Sequence, residues 1–120
     1  MLKIEKVSWA KVKINNQTYH QALLIGEKVL ERDKDKLETL FRTTHEIGDW
    51  EQKELLSGQP SVILIASGWK GILKVSDDFQ KKVEKKGMEL KVVLTGRFLK
   101  EYQSLIKKGI KVNALIHTTC

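Results

Sequence analysis

From Asp49 onward the sequence repeats one unit three times: an amphipathic stretch closed by a glycine, then a short apolar run. The first stretch opens at Asp49, with Gln52 three residues on as a capping pair, carries Leu55 and Leu56, and stops at Gly58, where Pro60 forbids further helix. An apolar strand over residues 61–66 follows. The second stretch opens at Ser76, places Asp77 and Asp78 in its first turn and Lys85 and Lys86 in its last, and so complements the helix dipole at both ends. Phe79 and Val83 share its inner face, Gly87 ends it, and residues 90–95 form the next strand. The third carries Phe98, Tyr102, Leu105 and Ile106 on one stripe, then Gly109 and a strand over residues 110–116. Short apolar strands separated by helices pair in parallel through right-handed crossovers, which commits this half of the chain to an α/β sheet.

The N-terminal quarter has another texture. Lys11-Val12-Lys13-Ile14 alternates polar and apolar residues as a half-buried strand does, and Asn15-Asn16 tolerates the positive φ of a tight hairpin turn. Residues 18–25 resume β-type residues up to Gly26, and residues 27–31 read as one more short strand. These strands suit antiparallel pairing, so the sheet is expected to be mixed, with helices packed on it. Within residues 32–48, Asp33-Lys34-Asp35-Lys36 reads as a polar turn, and residues 37–41 fit either a helical turn or an extended segment. At 120 residues the chain is expected to form one domain, residues 1–120.

Composition narrows the function classes. With 41% hydrophobic and 31% charged residues, the chain is globular in type and can bury a core without metal or disulfide. No apolar run approaches bilayer length, and the first six residues, Met1-Leu2-Lys3-Ile4-Glu5-Lys6, form no secretory segment. The single cysteine, Cys120, fits a reducing compartment, so the expected location is cytoplasmic, away from membranes. The net charge of +7 comes mainly from lysine interspersed with glutamate, as in Lys81-Lys82-Val83-Glu84-Lys85-Lys86. Without aromatics interleaved in a basic stripe, such a surface reads as a solvated face, and no nucleic-acid partner is expected.

One motif invites a cofactor. Ala66-Ser67-Gly68-Trp69-Lys70-Gly71 follows a strand with the spacing A-x-G-x-x-G of a dinucleotide-binding turn. But Ile72-Leu73-Lys74-Val75 intervenes before the next helix, and Lys91 and Val92 stand where an acidic residue is needed, so no cofactor is expected. Gly68 and Gly71 instead shape a loop at the carboxyl end of a strand, where open α/β sheets gather ligands. Ser67, Gly68, Thr95, Gly96 and Arg97 are the candidates there for a small ligand or anion. No phosphate-binding G-x-x-x-x-G-K-[ST] occurs. His117 and Cys120 have tolerable metal-ligand spacing but no second pair, so no metal site is expected. Cys120 lacks the neighbouring base that a nucleophile requires, and no catalytic residue is assigned. His45 reads as a capping or loop-fixing residue. Trp9, Trp50 and Trp69 read as core or rim aromatics, with Trp69 placed by its loop to serve a partner interface.

The run Lys100-Glu101-Tyr102-Gln103-Ser104-Leu105, then Gly109-Ile110-Lys111-Val112 and the ending His117-Thr118-Thr119-Cys120, resembles the Mth-nine-three-eight-like family. Leu64-Ile65-Ala66-Ser67-Gly68 looks like that family's strand and Gly-x-Gly loop, Ser8-Trp9 with Tyr19 like its N-terminal hairpin, and Thr43-Thr44-His45 like its Gly-Thr-x-His segment. Ala66 replaces the first loop glycine, Arg42 stands where a glycine usually precedes Thr43, and the Trp-Asp-Trp-Arg segment of some members is not visible near residues 36–40. The family includes the adipogenesis-associated Mth-domain protein and the mitochondrial complex I assembly factor three. The resemblance implies a three-layered α/β domain with a central mixed sheet, no established enzymatic activity, and action through protein contacts. The expectation is therefore a non-enzymatic interaction or assembly module that meets a protein partner through the face carrying His45, Trp69 and Arg97. A small-ligand protein or uncharacterised enzyme using the strand ends is the alternative.

Overall fold

A computed structural model describes residues 2–120. The element order is β1(Ile4–Ser8), β2(Lys11–Ile14), β3(Gln17–Tyr19), β4(Ala22–Ile25), β5(Lys28–Glu31), α1(Lys34–Phe41), α2(Asp49–Leu55), β6(Val62–Ala66), α3(Asp77–Lys85), β7(Glu89–Val93), α4(Thr95–Lys107) and β8(Val112–Ile116). β6 pairs in parallel with β7 and with β8, and β4 adds antiparallel to β8 and carries β5, giving the five-stranded order β5-β4-β8-β6-β7. The central sheet is thus mixed, as the two textures of the sequence imply. β1, β2 and β3 form a separate three-stranded antiparallel sheet.

The pleat sorts the core into two layers. On one face Ala22, Leu24, Val62, Leu64, Ala66, Val112, Ala114 and Ile116 pack with Phe98, Tyr102 and Leu105 of α4 and with Val12 and Ile14 of the small sheet. On the other, Leu23, Ile63, Ile65 and Leu115 pack with Leu55 of α2 and with Phe79 and Val83 of α3. Every residue of β6 and β8 is buried because both faces of the central strands are covered. The buried polar exception in β8, Asn113, is fully used. Its amide donates to the Leu55 and Ser57 carbonyls at 2.8 Å, closing the end of α2, and its oxygen accepts from Gly26 N at 2.9 Å.

Several local expectations hold. Asn15 and Asn16 take positive φ (49° and 67°) in the β2–β3 turn, and the Ser76 hydroxyl accepts from Phe79 N at 3.1 Å to cap α3. Others shift. Residues 18–25 do not run as one strand: the chain bends at His20 and Gln21, so β3 stays with the small sheet while β4 enters the large one. The polar run after Arg32 is helical from Lys34, because the Asp33 carboxylate accepts from Lys36 N at 3.0 Å and starts α1. The cap of α2 lies one residue earlier than Asp49: Gly48 precedes the helix, and Glu51, not Gln52, reaches back to its N–H at 3.0 Å. Thr95 opens α4 instead of ending β7, and β8 begins at Val112. Among the described residues no helix is long and apolar enough to cross a membrane.

Candidate functional site

The carboxyl ends of β6, β7 and β8 form one rim, and the loop after β6 meets the start of α4 there. Gly68 N donates to the Thr95 hydroxyl at 2.9 Å, and Thr95 N donates to the Gly68 carbonyl at 3.0 Å. Ser67, buried, gives its hydroxyl to the Val93 carbonyl at 3.2 Å. Gly96 lies under Trp69, so close that a Cβ there would sit 3.1 Å from the indole. Arg97 is exposed in the first turn of α4. The residues expected from sequence to meet at the strand ends, Ser67, Gly68, Trp69, Thr95, Gly96 and Arg97, are therefore neighbours.

What fills the concavity between them is the chain itself. After β8, residues 117–120 run across the rim and are fixed by backbone and side-chain donors. Trp69 N donates to the Thr119 carbonyl and Lys70 N to the Cys120 oxygen, both at 2.9 Å, and Ile72 N donates to the same Cys120 oxygen at 3.2 Å. The Trp69 indole N–H donates to the Thr118 carbonyl at 2.8 Å, and Ala10 N, in the β1–β2 turn, donates to that carbonyl at 2.9 Å. The Thr95 hydroxyl, while accepting from Gly68, donates to the His117 carbonyl at 2.6 Å. Gly68 takes φ +109°, and a Cβ there would lie 2.2 Å from the Cys120 carbonyl carbon. The glycine is required by this passage of backbone past backbone. Trp69 is half-buried as a clamp on the segment, not a free platform. Cys120 is a free, partly exposed thiol.

Beneath the segment lies a buried polar cluster that the sequence did not announce. Arg32, just past β5, forms a two-pronged ion pair with Glu51: Nε to Oε2 at 2.6 Å and Nη2 to Oε1 at 2.8 Å, both side chains fully buried. Nη1 donates to Gln21 Oε1 at 2.7 Å and to the Thr44 carbonyl at 3.1 Å, and Nη2 also donates to the Glu46 carbonyl at 2.8 Å. All the guanidinium N–H groups thus have acceptors, so Arg32 holds no donor in reserve for a ligand. His117, fully buried, places Nδ1 2.8 Å from the same Gln21 oxygen and Nε2 3.3 Å from the Thr119 hydroxyl. That oxygen is an acceptor already, so Nδ1 carries the proton and Nε2 accepts from Thr119; the ring is neutral. Burial, then the Arg32 charge and His45, push the His117 pKa down to about 4.

His45 stands edge-on to His117, ring centroids 5.2 Å apart, and its carbonyl accepts from Lys74 N at 3.0 Å. It reaches the rim through its ring contact with His117. Trp50 is explained within the fold, stacked on Phe41 at 6.4 Å with Lys36 Nζ 4.2 Å from its ring centroid. Sequence reasoning missed Gln21, Arg32 and Glu51. The one signal for them was a lone arginine directly after a strand, in Glu31-Arg32-Asp33, where it reads as ordinary surface charge. Among the described residues no group of three or more His, Cys, Asp or Glu side chains is placed to hold a metal ion.

Residues 4–117 match the family described as "Protein of unknown function (DUF498/DUF598)", and the chain belongs to that family. The fold is shared with a conserved hypothetical protein, PH1505, from Pyrococcus horikoshii OT3, at 27% identity and TM-score 0.84, covering 98% of this chain and 99% of that one. It is shared also with the solved structure named MT938, at 23% identity and TM-score 0.75 over the whole of both chains, which bears out the Mth-nine-three-eight-like resemblance. A protein from Bartonella henselae, described as an outer membrane protein, aligns at 15% identity and TM-score 0.77 over 98% of this chain and 94% of that one. At that identity the likeness concerns the fold alone.

Proposed function

We propose that this protein is an interaction module of the assembly-factor kind, meeting a protein partner through the sealed rim and performing no chemistry of its own. The observation that carries this reading is the set of apolar side chains left in solvent around the seated segment. Trp9 is 56% exposed, Ile72 43% and Leu94 46%. The turn that carries Trp9 and the loop that carries Ile72 both bond the seated segment. Ala10, next to Trp9, shares the Thr118 carbonyl with the Trp69 indole, and Leu94 packs against the Gly71 backbone beside Ile72. Arg97 adds a cation at the edge. A large aromatic, two aliphatics and an arginine on rigid turns is the composition of an interface centre. The backbone donors of the Gly68 loop, which a small ligand would need, are already engaged, those of Trp69, Lys70 and Ile72 by Thr119 and Cys120 and that of Gly68 by the Thr95 hydroxyl. The single thiol suits a reducing compartment such as the cytoplasm.

The test is capture by the tagged full chain from cell extract, followed by sedimentation of the reconstituted pair. Trp9→Glu/Ile72→Glu should lower the affinity at least about a hundredfold, since two apolar anchors buried at an interface together contribute about 3 kcal/mol or more. The control Leu40→Glu, at an exposed residue of α1 that makes none of the contacts of the seated segment, should leave it unchanged. Binding that survives the rim substitutions and fails in the control places the interface elsewhere.

A further inference from the structure

At the end of the molecule opposite the rim, the C-terminal half of α4 and strand β1 leave a cavity of about 540 Å³ lined by Leu2, Lys3, Ile4, Tyr102, Gln103, Ile106 and Lys107. A second hollow of about 270 Å³ shares Leu2, Tyr102 and Ile106 and continues past Ile110 and Val112 to Gly26, Glu27 and Lys111. The two form one groove with an apolar floor. Its size is that of a small-molecule site.

Tyr102 lies where the two hollows join. Only 5% of the residue is exposed, and because its hydroxyl makes no hydrogen bond while no buried polar side-chain atom lacks a partner among the described residues, that hydroxyl is the part that opens into the groove. Burial, with Glu27 nearby, holds the phenol above its ordinary pKa, so it remains an O–H donor. Lys3 and Lys107 flank the first hollow, both exposed and neither in an ion pair among the described residues. A phenol donor open to the groove, two cations outside any ion pair at one end and an alkyl-lined trough make an arrangement complementary to one chemistry.

We propose that the β1–α4 groove binds a single-chain carboxylate amphiphile of the medium-chain fatty acid type. Its alkyl chain lies over Leu2, Ile4 and Ile106, and its carboxylate accepts from Tyr102 and pairs with Lys3 and Lys107. The site is separate from the rim, and its occupation does not depend on the interaction reading.

Dodecanoate below its micelle concentration is the probe, titrated calorimetrically into the full chain, with dodecan-1-ol as the head-group control. One saturable site per chain is expected, with the alcohol at least about tenfold weaker, because it loses the charge-assisted hydrogen bonds. Tyr102→Phe should weaken dodecanoate about tenfold and the alcohol, a neutral acceptor, by less, and the surface change Lys3→Glu/Lys107→Glu should weaken dodecanoate by about a hundredfold. Ile106→Glu should abolish both; since Ile106 is half-buried, the lysine variant, whose changes are fully exposed, keeps the test decisive should that chain fold poorly. Absence of saturable binding overturns the proposal. So does equal affinity for acid and alcohol, or binding of dodecanoate that the lysine reversal leaves unchanged.

Discussion

The two ends of the central sheet are finished in opposite ways. At the carboxyl ends of β6 and β8 the chain turns back on itself: the Trp69, Lys70 and Ile72 amides find acceptors in Thr119 and Cys120, and the Gly68 amide in the Thr95 hydroxyl. Below that lid Arg32, Glu51, Gln21 and His117 saturate one another. At the amino ends, β1 and α4 meet over Leu2, Tyr102 and Ile106 and leave a trough with few directional contacts. The first end is defined by hydrogen bonds that tolerate no displaced atom, and the second by apolar contact that tolerates substitution. The polar end should therefore be brittle, and the apolar end forgiving.

The sharpest way to break this contrast is to remove one partner of the buried ion pair. Glu51→Ala leaves Arg32 charged and uncompensated and should destabilise the fold by about 4 kcal/mol in denaturant titration. The double change Arg32→Met/Glu51→Leu removes both charges and should recover most of that loss; if it does not, the ion pair itself is more valuable than the desolvation argument allows. Gly68→Ala forces a Cβ to within 2.2 Å of the Cys120 backbone at a φ of +109° and should cost about 3 kcal/mol.

Acid probes the same end without mutation. The His117 ring titrates near 6.5 when unfolded and near 4 when folded, so between those values the unfolded chain binds the extra proton. Its contribution is complete above pH 6.5, is lost as pH falls toward 4, and flattens below, for a total of no more than about 3 kcal/mol. Midpoints measured from pH 7 to 4 should show this slope, and His117→Gln should remove it. At the other end, the exposed change Lys107→Glu should move stability by no more than about 0.5 kcal/mol. A larger loss would mean that the groove is as finely built as the rim.

The brittle end was also the harder one to read in the sequence. Period and caps announced β6, α3, β7 and α4, because Ser76, the Phe98/Tyr102/Leu105 stripe and the apolar strands are local signals. The division into two sheets was not local. It depends on a bend at His20 and Gln21, and Gln21 is held there by partners as far away as His117, 96 residues on. α1 was obscured because its first residues, Lys34, Asp35 and Lys36, are charged and its start rests on one Asp33 cap. Gly68, Thr95 and Gly96 were legible as a strand-end loop, but the occupant of that loop was not: glycine reports that something approaches closely, not whether it is a ligand or the chain's own backbone.

Native-state hydrogen exchange at the Gly68 loop tests the central claim most directly. The amides of Trp69, Lys70 and Ile72, and the Trp69 indole N–H, should exchange as slowly as those of β6, because each is bonded to residues 118–120. Exchange of these four protons at the rate of an open loop, with β6 still protected, would show that the rim is not sealed.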